Sequence, residues 1–131
     1  DLYKTQVYAL ARYRNRERPK TCLGPKGRVI PENALTKAPT AELKHNQRDQ
    51  DTLPPYDVLD DILNCLVELE LPVREIVARG HAPEIVKKVE RMLYLAEYKR
   101  RQAPPGIKIT PKGLGKDRRM PITNRYNDKS K

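Results

Sequence analysis

Four stretches of this chain repeat apolar residues at helical spacing, and the segments between them do not. Tyr3, Val7, Leu10 and Ala11 fall three and four apart, so residues 2–14 predict an amphipathic helix with Asp1 as its N-cap. Leu59, Ile62, Leu63, Leu66 and Val67 form a second stripe at i, i+3, i+4, i+7 and i+8, opened by the start signal "TLPPY". Pro72 begins a short helix through Val73, Ile76 and Val77 that Gly80 stops. Pro83 opens another, with Ile85, Val89, Met92, Leu93 and Ala96 on one face, which continues towards Arg101 until "APPG" ends it. A single helical turn is predicted at Pro31–Leu35, with proline at a first-turn position.

The intervening segments are long. Arg14 to Lys26 is a basic excursion bearing proline and glycine, and Leu35 to Asp57 runs as "LTKAPTAELKHNQRDQDTLPPYD" without either period. No stretch alternates as a central strand does, and no internal repeat is visible. The fold class expected is mainly α with long loops: three helices and a leading one around an incomplete core. The chain opens on a helical pattern with no initiating Met, which predicts a segment of a longer chain.

Charge divides the sequence further. Up to Tyr98 there are 16 basic and 15 acidic residues, an ordinary globular balance; from Lys99 to Lys131 there are 11 basic and two acidic. The sequence therefore reads as a helical part, 1–98, and a basic tail, 99–131, that either docks on the rest of the protein or a neighbouring subunit or stays disordered. Such a tail attracts nucleic acid, an anionic membrane or an acidic partner, and charge alone does not choose among them. With 12 Pro against six Gly, the connections read as ordered more than slack. Cys22 and Cys65 have no metal-ligand spacing, which argues against zinc; two unpatterned cysteines suit a reducing compartment. Apolar runs are a few residues long, so no membrane span is predicted.

Four places carry candidate chemistry. Lys4 lies in a first helical turn, where the dipole disfavours a cation mildly; beside unpaired backbone N–H groups it makes an anion site, or else a solvated lysine offset by Asp1. In "TKAPTAEL", Pro39 fixes its own φ and restricts Ala38, so Lys37 and Thr40 are presented with little slack as donors to phosphate oxygens. The alternative has Thr40 capping a turn and Lys37 in solvent. Asp57, Asp60 and Asp61 suit a helix start by the dipole alone, whereas Asp49 and Asp51 precede that helix and offer acceptors for ribose hydroxyls or ammonium. The basic cluster in "AEYKRRQAPPG" suits a helix C-terminus, and that accounts for Arg100 and Arg101 without further function. His45 and His81 read as surface residues. No nucleophile–His–acid set, P-loop or GxGxxG is present, so no catalytic residue is assigned.

Six stretches together ("DLYKTQVYALARYRN", "IPENALTKAPTAEL", "QRDQDTLPPYDVLDDIL", "EIVARGH", "AEYKRRQAPPGIKIT" and "DRRMPITNRY") resemble the C-terminal part of bacterial glutamine-dependent NAD(+) synthetase. The resemblance covers nearly the whole chain. It implies the helical C-terminal part of an α/β adenine-nucleotide alpha-hydrolase-like domain with a parallel sheet. In that family ATP adenylates the carboxylate of deamido-NAD, releasing pyrophosphate, and ammonia from glutamine then attacks the activated carbonyl. By resemblance Lys4 matches a phosphate-contacting lysine and Thr40 a threonine of a loop closing over ATP. Lys99 falls in the region contacting the dinucleotide, and Asp49 and Asp51 in a segment that approaches substrate. "ERPKTCLGPKGR" departs from the shorter family members. The family's Ser-Gly-Gly pyrophosphate loop, its magnesium-holding glutamate and its glutaminase Cys-Glu-Lys set are not in these 131 residues. The expectations are therefore ATP and magnesium in the full enzyme but none held by this chain alone, and an isolated chain without activity. A homo-oligomer in the cytoplasm is expected, with the ligase core and glutaminase domain as partners within one polypeptide. The competing reading is a nucleic-acid-binding or subunit-interaction module, for which Tyr126 among Arg118, Arg119 and Arg125 supplies some aromatic interleaving. The near-neutral first 98 residues and the lack of a recognised nucleic-acid-binding pattern count against the nucleic-acid form.

Overall fold

In the computed structural model, residues 2–37, 39, 52–115 and 117–123 are described. They form six helices: α1 (Lys4–Arg16), α2 (Glu32–Thr36), α3 (Tyr56–Val67), α4 (Val73–Ala78), α5 (Pro83–Leu95) and α6 (Glu97–Gln102). No strand occurs among the described residues. The chain divides into two compact units, one spanning Leu2–Leu53 and the other beginning at Pro54.

The second unit holds the core. α3, α4 and α5 pack on one another and α6 packs on α5. Nine buried apolar residues (Ile62, Cys65, Leu66, Val67, Val73, Ile76, Val86, Val89 and Leu93) meet at their centre. Ile62, Leu66 and Val67 of the predicted stripe are buried, with Leu59 and Leu63 half-buried at its margin. Cys65, wholly buried, joins the apolar face that spacing assigned to its neighbours. On α5 the buried line runs through Val86, Val89 and Leu93, so Val86 takes the central place and Ile85 the edge. Pro55, Pro72 and Ala82–Pro83 start the three helices, where a missing N–H costs nothing. Gly80 closes α4 at φ +104, a conformation that side chains resist.

Two features depart from the expectation. The last long helix breaks at Ala96 (φ −84, ψ 5), so residues 97–102 form a separate helix. His81 is not a solvated surface residue: its side chain is 16% exposed, and its Nε2 lies 2.6 Å from Asp61 Oδ2. His45 lies outside the described residues. The described part of the basic tail returns to this unit. Leu114 packs against the core. The Lys112 N–H donates to Glu68 Oε2 (3.1 Å), and its ammonium meets Glu70 at 2.6 Å. Lys108 pairs with Asp117 at 2.8 Å, and the Arg118 guanidinium lies 5.2 Å from the Tyr94 ring centroid.

The first unit has no buried residue on either helix. Val7 and Leu10, half of the predicted α1 stripe, remain 42% and 53% exposed. α1 is set two residues later than predicted and its N-cap is Tyr3, whose N–H donates to Gln6 Oε1 at 2.9 Å; Asp1 lies outside the described residues. No helix among the described residues is long and apolar enough to cross a membrane.

Candidate functional site

Asn15, near the end of α1, assembles the site. Its side-chain oxygen accepts the N–H groups of Val29 (3.0 Å) and Ile30 (2.9 Å), and its amide donates to the Ile30 carbonyl at 2.9 Å. This holds the segment entering α2 beside α1. Arg14 adds a bond to the Pro25 carbonyl (2.7 Å), and Arg18 one to Cys22 (3.1 Å). Arg28 forms an ion pair with Glu32 in the first turn of α2, where a carboxylate also suits the dipole.

Between α1 and the α2 segment lies a groove of about 650 Å³. Lys4, Val7, Tyr8 and Ala11 form one wall; Ile30–Pro31, Asn33–Leu35, Lys37 and Pro39 form the other. The size falls within the range that accepts a small molecule. Its walls are largely apolar, and Lys4 and Lys37 are the cationic residues among those that line it. Lys4 is half-buried as the first residue of α1, and its ammonium lies 5.4 Å from the Tyr8 ring centroid. Arg12 approaches the same ring at 5.9 Å, so Tyr8 carries two cations. Lys37 is exposed and terminates α2, its N–H bonded to the Asn33 carbonyl. Tyr8 and Asn15 escape sequence reasoning. An aromatic one helical turn from a lysine is common, and nothing local links Asn15 to residues 29 and 30.

Of the predicted phosphate donors, then, Lys4 and Lys37 share one groove, and Pro39 beside them lines it. Thr40, Asp49 and Asp51 lie outside the described residues. Lys99 belongs to the other unit, on α6, exposed, with its ammonium 6.0 Å from the Tyr98 ring centroid. The basic cluster around it is not merely dipole-matched. Glu97, 1% exposed, accepts from Arg100 Nη2 at 2.8 Å and Arg101 Nε at 3.2 Å. Burial alone would push the Glu97 carboxyl up; the two guanidinium bonds, the Arg100 charge and the Met120 N–H outweigh it, and the group titrates below its ordinary value. Among the described residues no group of three or more His, Cys, Asp or Glu is placed to hold a metal ion.

Comparison with known proteins gives one consistent result. The family model described as NAD synthase matches residues 1–103. The glutamine-dependent NAD(+) synthetase of Rhodobacter capsulatus is 46% identical over 130 residues, covering 99% of this chain and 24% of that protein. The protein of the same description from Aquifex aeolicus is 48% identical over 126 residues, covering 96% of this chain and 21% of its own length. Among solved structures, a glutamine-dependent NAD+ synthetase from Acinetobacter baumannii in complex with ADP matches with a TM-score of 0.58 and 37% identity, over 99% of this chain and 21% of that one. The chain thus spans about a quarter or less of the length of these relatives.

Proposed function

The chain belongs to the NAD synthase family, and from that membership we propose that it is a segment of a ligase that makes NAD from deamido-NAD. The full enzyme uses ATP and glutamine-derived ammonia. In this reading the carboxylate of deamido-NAD attacks the α-phosphorus of ATP, pyrophosphate leaves, and ammonia displaces AMP from the resulting acyl-adenylate. The parent domain is an α/β nucleotide-binding domain with a parallel sheet, and this chain is its helical C-terminal part.

The observation that carries the reading is the meeting of Lys4 and Lys37 on one groove. Pyrophosphate departs with growing negative charge, and ammoniums of Lys4 and Lys37 brought onto it would stabilise it more than they stabilise bound ATP. Asn15 fixes the walls before substrate arrives, which keeps reorganisation out of the chemical step. Lys37 and Pro39 lead directly into Thr40, and a loop closing there excludes water from a labile adenylate. Lys99, with Asp49 and Asp51, is assigned to deamido-NAD. The described residues offer magnesium no ligand set, and the role given to Lys4 and Lys37 does not depend on it. A relative solved with ADP supports nucleotide binding in the parent enzyme.

In the full-length protein, Lys4→Ala is expected to slow single-turnover pyrophosphate release by about 10- to 100-fold, the cost of one charge-assisted bond. Lys4→Arg retains part of the rate. Because α1 has no buried residue, the thermal midpoint is expected to stay close to that of the parent. An unchanged release rate removes Lys4 from this role.

A further inference from the structure

α6 has only six residues, too few to persist alone in water. Its single buried residue is not apolar but the carboxylate of Glu97. Arg100 Nη2 is shared between Glu97 (2.8 Å) and the Leu93 carbonyl (2.7 Å), which ties α6 to the end of α5. Arg101 donates through Nε to Glu97 at 3.2 Å and through Nη2 to the Met120 carbonyl at 2.8 Å. The Met120 N–H in turn bonds towards Glu97. The backbone at Met120 is therefore held at its carbonyl by the guanidinium that the Glu97 carboxylate orients.

The stretch between, residues 103–120, is fastened at intermediate points by Lys112 to Glu68 and Glu70, and by Asp117, which accepts the Gly113 N–H at 2.8 Å and pairs with Lys108. Two of these ties are exposed ion pairs of small worth, two are part-buried backbone bonds, and Leu114 between them packs against the core. The closure at Met120 is the one that runs through a buried carboxylate, that of Glu97.

We propose that Glu97 is a positioning residue: its carboxylate locks α6 and the returning segment at Met120 into one body and thereby fixes Lys99 for the dinucleotide. This rests on the assignment of Lys99 to deamido-NAD given above. Glu97 itself is buried and touches no substrate. It acts through Arg100 and Arg101, so its loss weakens deamido-NAD recognition while leaving the lysines of the phosphate groove in place.

The test uses the full-length protein with Glu97→Ala and Arg101→Gln. Arg101 is 41% exposed, and Arg101→Gln opens the tie to Met120 while Glu97 keeps Arg100. Each variant is expected to raise the KM for deamido-NAD about tenfold, with the KM for ATP and kcat within about twofold of the parent. Trypsin is expected to cut faster at Arg118 and Arg119 in both. If Glu97→Ala does not fold, Arg101→Gln decides. A folded variant whose KM for deamido-NAD does not move, or whose two KM values rise together, overturns the proposal. If the unaltered protein shows no saturable use of deamido-NAD, the functional reading fails instead. The clamp is then decided by trypsin alone, with unchanged cleavage at Arg118 and Arg119 refuting it.

Discussion

Asn15 and Glu97 show how single polar side chains set the geometry of a chain with little core. Asn15 satisfies two backbone donors and one acceptor at once, so Asn15→Ala leaves three groups to find water. The expected loss is about 2 kcal/mol for the Leu2–Leu53 unit, measured by urea unfolding. A larger proportional fall is expected in nucleotide affinity, because the groove wall moves. Glu97 predicts a pH dependence. Its carboxyl titrates below the ordinary 4.5 in the folded chain and returns to that value on unfolding. The unfolded state thus binds more protons on the acid side. The contribution is complete above the unfolded value and is lost as the pH falls through the native one. Glu97→Gln is expected to lower stability at neutral pH and to flatten the acid decline in urea midpoints taken down to about pH 3. A decline as steep as the parent's would show that another carboxylate governs it. At this scale the sequence is partly legible. Lys4 and Lys37 stand out by a helix start and a proline-limited loop, but their meeting on one groove depends on Asn15, whose partners lie 14 and 15 residues away.

At the scale of elements, periodicity identifies α3, α4 and α5 because each turns an apolar face to the others. Ile76 is wholly buried where α4 meets its neighbours. Ile76→Ala is expected to cost about 2–5 kcal/mol, read as a lowered unfolding midpoint of the unit beginning at Pro54. A shift below about 1 kcal/mol would mean that the three helices do not share one core. The same periodicity finds α1, but half of its stripe, Val7 and Leu10, stays exposed and none of it is buried. Spacing reports which face is apolar and not what covers it. It also misses the break at Ala96, the last apolar position of the stripe: no proline or glycine marks a stop before "APPG", and the bonds of Glu97 to Arg100 and Arg101 beyond it are not visible in spacing. Cys65 and Val86 are missed for a simpler reason: at a stripe's margin the packing partner, not the period, decides depth.

At the scale of the molecule, charge and core are distributed unequally. The basic surplus lies after Tyr98, yet its described part is drawn onto its own unit by Glu68, Glu70, Glu97 and Asp117. The apolar core belongs to that unit, while the groove with Lys4 and Lys37 belongs to the other. The chain belongs to the NAD synthase family and spans about a quarter or less of its relatives' length, and the proposed function gives its groove the phosphates of ATP while placing the remaining groups of the reaction elsewhere in a longer polypeptide. The most direct measurement is rapid-quench detection of pyrophosphate in the full-length protein, with saturating ATP and deamido-NAD, comparing Lys4→Ala and Lys37→Ala with the double variant. Lys4 and Lys37 acting on one leaving group predict a slowed burst in each single variant and a double effect that departs from the sum of the two. A burst of unchanged rate in the folded double variant would contradict the assignment of this groove to the phosphates of ATP.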